Sequence, residues 1–336
     1  MRQYIVRRLL FMPFLVLAVS ILVFVMTRMG GSPIGAYLEP GMTQEEVTAL
    51  EERFHINDPL PSQYWAWLTG VATGDMGWSA VAGAPVADVF PQKIAASAEL
   101  AAAAGLAAIL IGVKLGTFAA VRRNRLPDQL TRVFAVGGAS MPTFWFAIIL
   151  LLIFWARLGW FPSGRSDAAI WDSIAHPTNF YVIDSILAFN LKALQDALWH
   201  LVLPATVLAY GTIGIIARMM RSSLLEEMGR DYVDAARARG LPERLVVRRH
   251  ARRNALVPTI TVIGLSIGIL FEGTVVVESI FAWPGLGQWL ADAVLSGDQA
   301  TTLAYVIFTS VVFLVVNLGV DLTYGFLDRR VVLRQS

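Results

Sequence analysis

The sequence predicts an all-α integral membrane protein with six transmembrane helices, and three observations carry that prediction. Of its 336 residues 56% are hydrophobic and only 15% charged, whereas soluble domains run at about 25% charged. Six windows are long and apolar enough to cross a bilayer core, which takes about 20 residues. The basic residues then fall on alternate connections, 20 of the 27 on one side and 4 on the other, the asymmetry that orients membrane proteins. The same arithmetic excludes a soluble enzyme, a disordered regulator and a collagen-like fibre. The absence of cysteine excludes disulfides, thiolate metal sites and cysteine nucleophiles. A net charge of +2 speaks against nucleic-acid binding through bulk charge.

The windows are, in order, Leu9–Thr27, Ala98–Val121, Val133–Trp155, Leu198–Met219, Ala255–Val277 and Thr302–Phe326. The first follows Arg7 and Arg8 as a signal peptide would, but it is longer than the 7–15 residues of a signal core and no Ala-x-Ala site follows; it reads as an uncleaved helix. The fourth is the weakest, because Pro204, Gly211 and Gly214 interrupt it. The arginine-rich connections place both termini in the cytoplasm. The expected organisation is an N-terminal membrane helix over 1–28, an extracytoplasmic segment over 29–97, a five-helix core over 98–328 and a cytoplasmic tail over 329–336.

Segment 29–97 carries acids at Glu39, Glu45, Glu46, Glu51, Glu52, Asp58, Asp75 and Asp88. Thr43-Gln-Glu-Glu46 is a capping box; Val47, Leu50 and Phe54 then share one helical face, and Asn57–Pro61 ends that helix. Segment 158–197, rich in Trp, Pro, Gly and Asp, is its companion in a small cap. Trp65, Trp67, Trp155, Trp160, Trp199 and Trp289 fall near the predicted interfaces, where most serve as lipid anchors. No internal repeat of the kind common in secondary transporters is present.

Catalytic patterns are missing. His55, His176, His200 and His250 lie apart, none with a second ligand at helical metal spacing. There is no Gly-x-Ser-x-Gly elbow. A P-loop needs a lysine after glycine, and the three lysines follow Gln92, Val113 and Leu191. Any ATP-driven work therefore falls to a partner.

The most informative stretch is Ser222–Pro258, the longest predicted cytoplasmic connection. Leu224, Leu225, Met228, Tyr232, Ala235, Ala236 and Arg239 fit one helical spacing, which Gly240 and Pro242 break. A second basic amphipathic run, Leu245–Ala255, leads back to the membrane. Anchoring on anionic lipid accounts for the arginines, at about 1 kcal/mol each. It does not account for the interleaved acids, the Ala-Ala pair or the break, which suit a short helix inserted into a groove on another protein.

Asp231-Tyr232, Ala235-Ala236-Arg237-Ala238-Arg239-Gly240-Leu241, His250, Asn254 and Pro258 resemble the EAA loop of bacterial ABC-importer permeases, in particular their dipeptide/oligopeptide branch. The resemblance runs almost the whole chain. It includes Arg7-Arg8-Leu9, Gln63-Tyr64, Gly74–Ser79, Met141–Trp145, Leu158–Pro162 and Leu203-Pro204. It continues through Glu278, Phe281, Pro284-Gly285-Leu286-Gly287, Asn317, Asp321, Tyr324 and Asp328.

The resemblance implies the type I importer fold. It also implies that this chain pairs with a second homologous permease and takes substrate from an extracytoplasmic binding protein. Each EAA loop docks on one of two cytoplasmic ATPase subunits, and these bind ATP and Mg; no cofactor belongs to this chain. The coupling element is then Gly229–Pro242, with Gly240 permitting the turn, Ala235 and Ala236 the close approach, and Arg237 and Arg239 making polar contacts at the docking surface. Relatives of this kind also carry nickel chelates or glutathione, and a stand-alone channel or secondary transporter is the alternative from another class. The chain departs from the family pattern at Asp328-Arg329-Arg330, where Asp-Pro-Arg is usual, and at Glu272, where a small residue is usual. A carboxylate inside a span is costly, so Glu272 is either paired within the bundle or hydrated near its outer end, or, with Glu278, a carboxylate on the pathway.

Overall fold

The computed structural model describes residues 2–32, 34–38, 41–53 and 56–327; for residues 2–9, 36, 53, 139, 269, 271, 272, 316, 317 and 320–327 it describes the backbone alone. The calls at Glu39, Phe54, His55, Asp328-Arg329-Arg330 and the tail over 329–336 lie outside the described residues, as do the side chains of Arg7, Arg8, Leu9, Glu272, Asn317, Asp321 and Tyr324.

The chain is almost wholly helical. Helix α1 (Arg2–Gly30) is followed by α2 (Gln44–Arg53) and α3 (Leu60–Thr73). The capping box forms: the Thr43 N–H donates to Glu46 Oε2 at 2.7 Å, and the Glu46 N–H reaches back to Thr43 Oγ1 at 3.4 Å. Helix α3 lies against the last turns of α1, where the Ser20 and Tyr64 hydroxyls meet at 2.8 Å and the Phe24 ring packs on Tyr64 and Trp67. A two-residue hairpin, β1 (Trp78–Ser79) with β2 (Ala84–Pro85), then leads into α4 (Val86–Val121). The hairpin is tied to a distant part of the chain, since Ser79 Oγ donates to the buried Asp298 at 2.9 Å.

The centre of the molecule is α4 packed on α9 (Leu191–Met228). A ridge of residues four apart faces α9: Ala96, Leu100, Ala104, Ala108, Gly112, Gly116 and Ala120, each buried. A Cβ on Gly116 would sit 2.5 Å from the Ala217 carbonyl oxygen, and one on Gly112 would sit 2.9 Å from Ile216. Small residues at this spacing let two backbones close together where lipid supplies no hydrophobic driving force between helices.

The interrupted fourth window is one unbroken helix of 38 residues, and 72% of its apolar window is buried. Its glycines are packing positions, since a Cβ on Gly214 would meet the Ala135 backbone at 2.9 Å. Low apolarity there reflects a protein-facing helix, not a poor one.

The third window, expected as one span, is two helices: α5 (Leu126–Ser140) and α6 (Thr143–Leu150), the latter running on as a π-helix over Leu151–Arg157. The pair bends by 105°. Pro142 forces the residue before it out of the helical region, and Met141 is accordingly extended at φ −85°, ψ 122°. Two short helices follow, α7 (Ala168–Trp171) and α8 (Tyr181–Leu187).

After α9 come α10 (Asp231–Ala238), α11 (Glu243–Leu245), a π-helix over Val246–Ala251, and α12 (Arg252–Phe281), which bends by 55° between Gly268 and Gly273. The last elements are α13 (Leu286–Ser296) and α14 (Gln299–Leu327). Among the described residues three helices are individually long and apolar enough to cross a membrane, or five if each bent pair is one span.

Candidate functional site

The connection between α9 and α12 folds back on itself as a compact lobe. The helical spacing that runs through Met228 and Tyr232 is broken at Gly229 and Arg230, so α10 is a separate helix set beside the end of α9. Asp231 and Asp234 in its first turn and Arg237 in its last match the helix dipole. Val233 and Ala236, three apart, point inward and join Met220 and Leu224 of α9 with Val246, Val247, Ala251 and Ala255. Gly240 adopts φ +77°, a left-handed conformation that glycine takes without steric cost. It reverses the chain so that Leu241 packs on the same cluster and Pro242 can start α11.

Polar contacts brace the lobe. Arg237 donates to Asp234 at 2.9 Å, to both oxygens of Glu243 at 2.9 and 3.1 Å, and to the Met228 carbonyl at 3.3 Å. One guanidinium thus joins the end of α9, α10 and α11 across the Gly240 turn. Asn254 Nδ2 donates to the Tyr232 hydroxyl at 3.0 Å, and that hydroxyl donates to Glu227 at 2.5 Å. Burial first, and the Glu227 carboxylate second, push the Tyr232 phenol above its ordinary value, so the donor proton is firmly held.

The residues singled out from sequence therefore divide. Tyr232, Ala236, Arg237, Leu241 and Asn254 are engaged within the lobe, while Asp231, Ala235, Ala238, Arg239, Gly240 and Pro242 lie on its exposed side. Ala236 is 5% exposed, so the small-residue pair does not act together: Ala236 packs inward and Ala235 outward. Arg237 and Arg239 divide in the same way. His250 sits half-buried in the π-helical stretch and makes no polar contact among the described residues.

Asp128 was missed. It is fully buried, receives Arg221 on both oxygens at 2.5 and 2.8 Å, and accepts the Asn124 N–H at 2.9 Å. This joins two arginine-rich connections at one end of the bundle. The available signal was a single acid among Arg122, Arg123, Arg125 and Arg132.

At the opposite end the Pro284–Gly287 motif wraps a buried carboxylate. Glu278 is 0% exposed; Ser97 Oγ donates to its Oε1 at 2.6 Å, and the Gly287 and Gln288 N–H groups donate to Oε2 at 2.7 and 3.1 Å. The Leu286 N–H in turn donates to Ser97 Oγ at 2.8 Å. A Cβ on Gly285 would come within 2.5 Å of the Glu278 carboxyl carbon, and one on Gly287 within 2.4 Å of Val275. In this conformation Glu278 caps the N-terminus of α13. Nearby, Arg165 and Glu99 form a buried pair at 2.7 Å, with Arg165 also stacked 3.7 Å over Tyr181 and Glu99 accepting the Val182 N–H at 2.7 Å.

A bundle of apolar helices with a braced lobe at its arginine-rich end is the architecture of a membrane component. The chain belongs to the family described as binding-protein-dependent transport system inner membrane component, whose model matches residues 112–333; the family's N-terminal model matches residues 1–90. It is 36% identical over 317 residues to the probable D,D-dipeptide transport system permease protein DdpB of Escherichia coli K12, covering 94% of this chain and 93% of that one. It is 34% identical to the dipeptide transport system permease protein DppB of Alkalihalophilus pseudofirmus, and 37% identical to the di/tripeptide transport system permease protein DppB of Pseudomonas aeruginosa. Each of these matches covers 98% of this chain and 99% of the relative.

Proposed function

We propose that this chain is one of two permease subunits of an ATP-driven importer of dipeptides and short oligopeptides. In this reading it crosses the inner membrane six times, with both termini and the α9–α12 lobe in the cytoplasm, as the arginine distribution demands. A binding protein delivers substrate to the opposite end. Two ATPase subunits, carrying ATP and Mg, dock on the lobes of the two permeases. The names of the full-length relatives support the peptide substrate.

The observation that carries the docking role is how α10 is fastened to its neighbours. Arg237 and the Val233–Ala236 face fasten it to the bundle, so a push on its exposed Asp231, Ala235 and Arg239 is passed to α9 and α12 without first deforming the lobe. The test uses Ala235→Glu in the complete transporter, reconstituted with its binding protein and labelled dipeptide. Expression and assembly of the two permeases should match the natural protein. ATPase co-purification and uptake should fall at least tenfold. Undiminished uptake in this variant would refute the docking face. Uptake of a nickel chelate or glutathione in place of dipeptides would refute the substrate.

A further inference from the structure

A cavity of about 390 Å³ lies between the end of α1, α3 and the start of α14, within the range of small-molecule sites and lined by no residue of the lobe or of the Glu278 cap. Arg28, in the last turn of α1, reaches into it. Its Nη1 donates to Gln299 Oε1 at 3.2 Å, its guanidinium carbon lies 4.9 Å from the Phe24 ring centroid, and its Nε is buried with no hydrogen-bond partner. The Gln299 amide is itself held by the Thr27 and Gly31 carbonyls at 2.9 and 3.0 Å. Among the described residues no acid pairs with Arg28. Asp75 stands on the exposed rim, with Trp67, Trp78 and Tyr37 as aromatic walls.

A second cavity of about 190 Å³ shares Trp67 and Met76 with the first and runs on past Phe90, Ala304, Phe308 and Val311. Its lining is apolar and aromatic. From Gln299 to Val311 the helix advances about 18 Å, more than half of the roughly 30 Å hydrocarbon core.

The order of groups is therefore an acid at the rim, a cation with an unmet donor below it, and an apolar slot below that. A guanidinium fork matches phosphate oxygens, and a donor buried without a partner costs free energy that a phosphate would recover. We propose that this slot holds one zwitterionic aminophospholipid, its phosphate on Arg28, its ammonium toward Asp75 and one acyl chain along α14. A free peptide carries the same two charges but has no chain to fill the lower cavity.

The test is native mass spectrometry of the complete transporter, extracted from nanodiscs of equal phosphatidylethanolamine and phosphatidylglycerol. One phosphatidylethanolamine should be retained per copy of this chain. Arg28→Gln should lower retention at least tenfold, and Arg28→Lys should recover part of it, which separates charge from folding. Ala304→Leu, which fills the slot, should lower retention of both lipids, and Asp75→Asn should remove the preference between them. Equal retention in the natural protein, Arg28→Gln and Ala304→Leu would overturn the proposal. So would displacement of the lipid by millimolar dipeptide or by glycerophosphoethanolamine, which lacks the chains.

Discussion

Replacing Glu278 by alanine isolates the contribution of one buried carboxylate. In the folded chain it accepts from Ser97 Oγ at 2.6 Å, Gly287 N at 2.7 Å and Gln288 N at 3.1 Å. Truncation leaves these donors without their acceptor, at about 1–3 kcal/mol for each buried group. Water reaches the half-buried Gln288 end, so the expected loss is about 3–6 kcal/mol rather than the full sum. Glu278→Gln should lose only about 1–2 kcal/mol, because its carbonyl oxygen can serve the two backbone donors while its amide donates to Ser97. The assay is reversible unfolding of the purified permease pair in mixed detergent micelles. A double-mutant cycle with Ser97→Ala should return a coupling of about 1–2 kcal/mol. If Glu278→Ala unfolds within about 1 kcal/mol of the natural protein, the carboxylate does not hold α13 and the cap assignment is wrong.

Removing one partner of the buried Arg165–Glu99 pair, as in Arg165→Met, should destabilise by about 3–5 kcal/mol, and Arg165→Met with Glu99→Gln should recover much of that loss, read in the same unfolding assay. Gly240→Pro should abolish dipeptide-stimulated ATPase activity while leaving membrane insertion intact, because proline cannot reach the φ of +77° found there; normal coupling would show that the reversal is dispensable. Ala236→Glu buries an unpaired charge against Val233 and Val246, so it should lower the yield of assembled permease, where Ala235→Glu does not. The two bonds from Thr43 hold the Glu46 carboxyl below the ordinary 4.5. A depressed value in the folded state means the cap's contribution is present above the unfolded value and lost only as pH falls through the lower, folded one. A titration of labelled glutamate in nanodiscs should therefore place Glu46 below the ordinary 4.5; a midpoint at or above that value would contradict the capping box.

Local chemistry was readable in advance wherever it depended on neighbours in the chain. The Thr43–Glu46 box, the apolar windows and the stop at Gly240-Leu241-Pro242 all rest on contacts within a few residues. The lobe between α9 and α12 was legible as a unit for the same reason. Its inner and outer faces were not, because a single continuous helix through Met228 and Tyr232 was consistent with the spacing. The break at Gly229 rotates α10, and only that rotation separates Ala236 from Ala235 and Arg237 from Arg239. The capping role of Glu278 was not legible for a related reason. The sequence does not show which groups meet this carboxylate when donors such as Ser97 and the Gly287 and Gln288 backbone lie on other elements.

The bend at Pro142 shows the same boundary from the other side. Proline's geometry says that a helix will be disturbed there, and the 105° turn of α5 against α6 follows from what each half packs against. Pro204, by contrast, sits inside an unbroken α9, because that helix is enclosed by the small-residue ridge of α4 and by α5. By itself the sequence determined membrane class, the clustering of arginine in a few connections and the position of the lobe. Those properties are sums over composition and short-range order. The tertiary structure decided which prolines bend, which glycines are contacts, which arginines brace and which carboxylate caps, since each depends on a partner that the chain brings near only by folding.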